Sequence, residues 1–177
     1  MKILVQSAIF IFSASLMACT GQNLFPSNII SDVDSQSDFG VLRAQPDAFK
    51  GRAVQLAGRI IDVQEVEGGS LVLARELPID SAPVYGPKET PAPTGRFAFL
   101  YPGKIDPMGK RGGNKFVVVG VMNGTKAVDF EGASVAKPYL EARCVHIWKT
   151  GNYYEISDFP HVTDGYYPLP EETYCAK

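Results

Sequence analysis

Val54-Gln55-Leu56-Ala57-Gly58-Arg59-Ile60 is the stretch that decides how this chain folds. Val54, Leu56 and Ile60 fall on one face of an extended strand, with Gly58 between them. Such period-2 alternation marks a half-buried β-strand. Ile61 and Val63 then move the apolar phase by one residue. A slip of that kind predicts a β-bulge or a sharp bend, and an interior glycine permits it. Glu67-Gly68-Gly69-Ser70 reads as a turn, and Leu71 to Leu77 as the returning strand, so the whole forms a hairpin.

Working outward, Arg96 to Tyr101 is a short strand. Lys115 to Met122 is apolar on both faces, as in a fully buried strand, and Asn123-Gly124 closes it as a hairpin turn. Val135 to Lys149 is the last long strand pattern; Leu140, Ala142, Cys144, His146 and Trp148 share one face of it. Gly151-Asn152 is a turn, after which Tyr153 to Ile156 pairs back. Phe39 to Phe49 holds a short helix interrupted at Pro46, a residue tolerated in a first helical turn. Residues 78–95 contain Pro78, Pro83, Pro87, Pro91 and Pro93 and form a long loop. The fold class is mainly β: a small Greek-key, OB-like β-barrel with a short N-terminal helix and an irregular C-terminal tail. A β-sandwich fits the same strand pattern.

At the N-terminus one cation, Lys2, precedes an apolar run from Ile3 to Leu16. The run is shorter than the roughly 20 residues a membrane span needs, and it ends in Leu16-Met17-Ala18-Cys19. A charged start, a short apolar core and a small residue before the cut are the parts of a secretory signal. With Cys19 directly after them, these residues resemble the lipobox of bacterial lipoproteins, apart from Met17, where smaller residues are commoner. The resemblance implies a diacylglycerol on the Cys19 thiol, cleavage before Cys19 and acylation of the new amine. Thr20 in place of Asp implies sorting to the outer membrane. The expected organisation is a signal peptide over 1–18, a lipidated tether over 19–38 and a barrel domain over 39–177.

Removing residues 1–18 of the 177 leaves 159, enough for one domain with a sizeable core. Losing Lys2 takes the formal charge from −2 to −3. An acidic domain lacks the basic footprint of a nucleic-acid partner. Cys144 and Cys175 remain beside Cys19, and two cysteines in an oxidising envelope are a candidate disulfide.

Catalytic signatures such as G-x-S-x-G, H-E-x-x-H, C-x-x-C and the P-loop do not occur. His146 reads as a structural histidine in a strand, and Asp106 before Pro107 as turn chemistry. His161 between Asp158 and Asp164 has metal-ligand residue types at a spacing common by chance, so no metal is assigned. Lys104, Lys110, Arg111 and Lys115 cluster about a glycine-rich turn and read as a solvated hairpin that could meet lipid phosphate. Tyr85, Tyr166, Tyr167 and Tyr174, beside prolines of the long loop and the tail, are the binding candidates.

One ordered set of segments adds to this reading. Pro46-Asp47-Ala48-Phe49-Lys50-Gly51-Arg52 runs directly into the first strand pattern, ending Ala57-Gly58-Arg59-Ile60. Gly95-Arg96-Phe97, Asp106-Pro107, Val117-Val118-Val119-Gly120 and Val145-His146-Ile147-Trp148 follow. Behind a lipobox, this order resembles the Slp family of outer-membrane lipoproteins, the starvation-inducible lipoproteins of Gram-negative bacteria, over residues 16–150. The resemblance implies an outer-membrane β-domain and brings no catalytic residues with it. The expected function is a non-catalytic lipoprotein of the cell envelope, on the periplasmic face, with a binding or a structural, stress-related role. The alternative is a ligand-, metal- or glycan-binding module, or an enzyme whose site is assembled from scattered residues. The expected partners are the outer membrane, through the lipid on Cys19, and an envelope protein or glycan. No cofactor beyond that lipid and no nucleic acid are expected.

Overall fold

The computed structural model describes residues 24–34, 38–79, 86–90, 95–130, 133–150 and 170–176. Among the described residues, six strands follow the short helices α1 (Ser27–Ile30) and α2 (Phe39–Ala44): β1 (Ala53–Val66), β2 (Gly69–Glu76), β3 (Arg96–Tyr101), β4 (Lys115–Phe130), β5 (Ala133–Trp148) and β6 (Glu171–Cys175). The sheet order is β3-β2-β1-β4-β5-β6, and β3 also pairs in parallel with β5. That last pairing closes the first five strands into a ring, the OB-like barrel expected from the strand pattern.

The apolar phase slip in β1 is a bulge at Ile61, between the paired residues Ile60 and Asp62. It turns Ile60 into the barrel, where it is buried, and Ile61 outward, where it is 39% exposed. The interior is filled by Leu56 and Ile60 of β1, Val72 of β2, Phe97 and Phe99 of β3, and Phe116 and Val118 of β4, all buried. Helix α2 (Phe39–Ala44) is capped by Asp38, whose Oδ1 accepts from Gly40 N and Val41 N. Its Leu42 enters the same core, and the Phe39 ring meets Phe97 with centroids 5.8 Å apart. The helix therefore plugs one end of the barrel, and a 3-10 turn over Pro46–Phe49 continues from it.

Two features of the long strands correct the sequence reading. Asn123-Gly124 does not end β4. Met122 pairs with Leu140 and Thr125 with Pro138, so two residues stand opposite one and form a bulge. Gly124 has φ +75°, and the Asp47 carboxylate lies against it and accepts a 3.1 Å hydrogen bond from Thr125 N. The strand then runs on to Phe130 as an arm paired with Ala133–Pro138 of β5. The second correction lies in β5, where Val119 pairs with Cys144 but Gly120 with Ala142, leaving Arg143 as the extra residue. The side-chain phase therefore flips. Leu140 and Ala142 face the core, as do Val145 and Ile147, while Cys144 and Trp148 join a cluster outside. Gly120 makes this possible: a Cβ there would stand 2.5 Å from Glu141 O.

The tether reading does not hold over residues 24–34. Phe25 is buried against Ala57, Val117, Val119 and Trp148, with Leu24, Ile29, Ile30 and Val33 packed around it. Arg143, the bulged residue, grips Asp32 through both carboxylate oxygens at 2.9 and 2.8 Å. Asp34 bridges Val54 and pairs with Arg52. The apolar residues of this segment are too closely spaced to remain in water when an apolar outer face of the sheet lies beside them. The tail also departs from the irregular reading: residues 171–175 form β6, an edge strand held on β5.

Candidate functional site

On the outer face of β5 stand Cys144, His146 and Trp148, opposite Cys175, Thr173 and Glu171 of β6. Ala176 N donates to Arg143 O and Lys149 N to Pro170 O, so the Cys144–Cys175 pair is a non-hydrogen-bonded pair, in which side chains approach most closely. The two cysteines are disulfide-bonded, with Cα atoms 4.1 Å apart. His146 Nδ1 is 2.7 Å from Thr173 Oγ1, and its ring meets Trp148 edge-on at 4.3 Å. His146 Nε2 faces the Glu171 carboxylate at 3.5 Å, too long for a hydrogen bond. Burial pushes the imidazole pKa down against the opposing pull of Glu171, so the neutral ring is favoured. The imidazole is packed edge-on against Trp148 and between Thr173 and Glu171.

A second polar cluster closes the barrel at the β6 end. Tyr174 Oη donates to Asp106 Oδ2 and lies 2.8 Å from Glu172 Oε2. Lys149 Nζ reaches the same two carboxylates at 3.0 and 3.2 Å. Asp106 Oδ1 accepts from Gly109 N at 2.8 Å, the turn chemistry read from Asp106-Pro107. The Tyr174 hydrogen bond and the Gly109 N–H hold the Asp106 carboxyl well below the usual carboxylate range. Burial and Asp106 push the Tyr174 hydroxyl well above its usual range. Tyr174 also packs edge-on against Tyr101 at 6.1 Å. Its hydroxyl is engaged by two half-exposed carboxylates at the barrel end, and its ring is half-buried against Tyr101.

Among the described residues, clefts with room for a ligand lie elsewhere. The β4–β5 arm curls over the outside of β2 and β3, where Val128 and Tyr139 pack with Leu73 and Ala98. Between this arm and the β1–β2 turn runs a cleft of about 410 Å³. Gln64, Glu67, Lys126 and Asp129 line it over an apolar floor that includes Leu71 and Leu100. Lys126 Nζ sits 4.4 Å over the Tyr139 ring, a cation–π contact. Two clefts of similar size are bounded by Arg43 and Gly95 at the α2 end of the barrel. The cleft beside the arm is the one on the strand face and loops with which OB barrels hold their ligands.

Of the residues singled out in the sequence, the structure joins Cys144 to Cys175 and places Tyr174 on Asp106. Cys19, Tyr85, Tyr166, Tyr167, His161 and the Tyr153–Ile156 strand lie outside the described residues. Among the described residues there is no group of three or more His, Cys, Asp or Glu arranged for a metal. The basic cluster is divided: Lys110 pairs with Glu65 at 2.6 Å, while Lys115 faces Glu89 of the proline-rich loop. Lys126 and Asp129 were missed because the Asn-Gly signal ended β4 too early; the Thr125–Phe130 run that carries them was the available clue.

A model of the outer membrane lipoprotein Slp family matches residues 16–174 of this chain. No curated protein and no solved structure matches it.

Proposed function

The chain belongs to the outer membrane lipoprotein Slp family, and from that premise we propose that it is a non-catalytic binding module, lipid-anchored through Cys19 and turned to the periplasm, that holds an envelope glycan in the cleft beside the β4–β5 arm. The observation that carries this reading is the cleft itself, on the outer face of β2 and β3. Two carboxylates and an amide, from Glu67, Asp129 and Gln64, suit sugar hydroxyls, and the apolar floor suits the C–H faces of a sugar ring. The same carboxylates repel a phosphate backbone. This choice of surface rests on fold analogy joined to side-chain chemistry. The titratable groups away from the cleft support a non-catalytic role: Asp106, Glu172, Lys149 and Tyr174 are bound to one another, and His146 is packed.

Titration of the protein with soluble peptidoglycan fragments tests the cleft. Saturable binding is expected, and Asp129→Ala is expected to weaken it about tenfold or more, the cost of a hydrogen bond to a charged group. An Asp129→Ala variant that binds as tightly as the parent places the ligand elsewhere; no saturable binding removes the reading. The anchor has its own test. Cys19→Ser is expected to leave an unprocessed precursor or to abolish outer-membrane retention, read by fractionation and intact mass. A wild-type protein with an unacylated Cys19 overturns it.

A further inference from the structure

Three cations stand in one row across the outside of the barrel. Arg59 of β1 is the cross-strand partner of Arg75 on β2 and of Lys115 on β4. Like charges directly opposite one another destabilise a sheet, so such a row needs an anion. The proline-rich loop supplies one carboxylate. Arg59 Nε donates to Glu89 Oε1 at 3.0 Å, with Nη2 on the same oxygen, and Arg75 Nη2 donates to Oε2 at 3.0 Å. Lys115 Nζ is 3.8 Å from Oε1. Arg59 is held in place by a 2.8 Å bond from Nη1 to Gly113 O.

These four groups are unbalanced, with three positive charges against one negative. Burial and Arg59 push the Lys115 pKa down, and Glu89 opposes them. The Glu89 side chain is 45% exposed, so a ligand can reach it from solvent. One carboxylate against three cations leaves positive charge uncompensated, and a phosphate offers more acceptor oxygens for bidentate arginine bonding.

The position of the row indicates where the phosphate comes from. Lys115 pairs with Trp148 across β4 and β5, and Gly86 of the loop lies against both: a Cβ on it would be 2.9 Å from Lys115 Cβ and 3.1 Å from Trp148 Cε3. Trp148 in turn belongs to one apolar cluster with Phe25, against which Leu24 packs. Leu24 is five residues from Cys19, a stretch that spans at most about 18 Å when fully extended. A lipid on Cys19 thus keeps this face of the barrel close to the headgroups of the bilayer.

We propose that Arg59, Arg75 and Lys115 form a binding site for the phosphate of membrane-lipid headgroups, and that Glu89 fills this site until a headgroup displaces it. The proposal rests on the anchored reading of Cys19. Gly86, three residues before Glu89, lies against Trp148, the sole tryptophan of the chain, so tryptophan emission is the readout of a change at this site.

The test uses the full lipidated chain with three preparations: vesicles of phosphate-free galactolipid, the same vesicles containing phosphatidylglycerol, and galactolipid vesicles with added inorganic phosphate. Phosphatidylglycerol is expected to shift the Trp148 emission, and Glu89→Gln to reach half of that shift at a several-fold lower lipid fraction. The Arg59→Gln/Arg75→Gln variant, with its fold checked by circular dichroism, is expected to show no shift. A shift with inorganic phosphate as large as that with phosphatidylglycerol overturns the headgroup as the source. An absent phosphatidylglycerol shift, or a Glu89→Gln response equal to the parent's, overturns the site. Flotation with pure galactolipid vesicles reports the anchor separately, so failure of the anchor is not mistaken for failure of the site.

Discussion

Cys175→Ala is expected to lower the stability of the barrel by about 3.5 kcal/mol, the chain-entropy value for a loop of this length. The bridge spans 31 positions between Cys144 and Cys175. Its structural contribution is local: β6 is a five-residue edge strand whose first three residues are exposed, so burial alone retains it weakly. The bridge also keeps Tyr174 on Asp106 and Thr173 beside His146. Cys175 is the better position to substitute, because Cys144 is fully buried and its truncation adds a packing loss. Chemical denaturation with and without reductant measures the effect. A difference below about 1 kcal/mol, or free labelling of both thiols in denaturant without reductant, would contradict a stabilising bridge.

Phe116→Ala is expected to cost about 3–5 kcal/mol, the range for emptying a large aromatic site in a packed core. Phe116 is 0% exposed, with ring centroids 5.2 Å from Phe99 and 6.0 Å from Phe97. These three rings span β3 and β4 across the barrel interior, so the cavity cannot collapse without moving a strand. Phe116→Leu keeps most of the volume and is expected to lose clearly less. Equilibrium unfolding in urea separates the two. Equal losses for both variants would show that ring shape, rather than filled volume, governs the site.

Much of the barrel was legible because its signals are local. The alternation of Val54, Leu56 and Ile60 and the slip at Ile61 describe a strand that must bend, and β1 bends there. Lys115 to Met122 is apolar on both faces because the interior lies on one side and the N-terminal segment on the other. The misreadings share one cause. Asn-Gly suits a tight hairpin turn and a glycine bulge equally, since both need a positive φ. Asp47, 78 positions from Thr125, decides between them. Likewise Leu140 to Trp148 reads as one unbroken face, and only the pairing of Gly120 with Ala142 reveals that Arg143 reverses it.

The candidate sites were less legible than the strands. Tyrosines beside prolines drew attention to the tail, where Tyr174 bonds Asp106 and packs on Tyr101, while the cleft joins Gln64 and Glu67 to Lys126 and Asp129 from a different hairpin. Arg59 and Arg75 carry no signal in sequence, and Lys115 reads only as part of the turn cluster with Lys104, Lys110 and Arg111. Arg59, Arg75 and Lys115 become a single row through strand register, which depends on how two hairpins pair. The amino-acid sequence by itself determined β1, β2, β3 and the central parts of β4 and β5, the bend in β1 and the short helix, together with the lipobox pattern and the pair of cysteines. These follow from periodicity and backbone chemistry within a few residues. The tertiary structure alone decided the length of β4, the face of Cys144 and Trp148, the docking of residues 24–34 and the three-cation row. Each of these depends on a residue's partner across the sheet, and burial and electrostatics act between such partners whatever their separation along the chain.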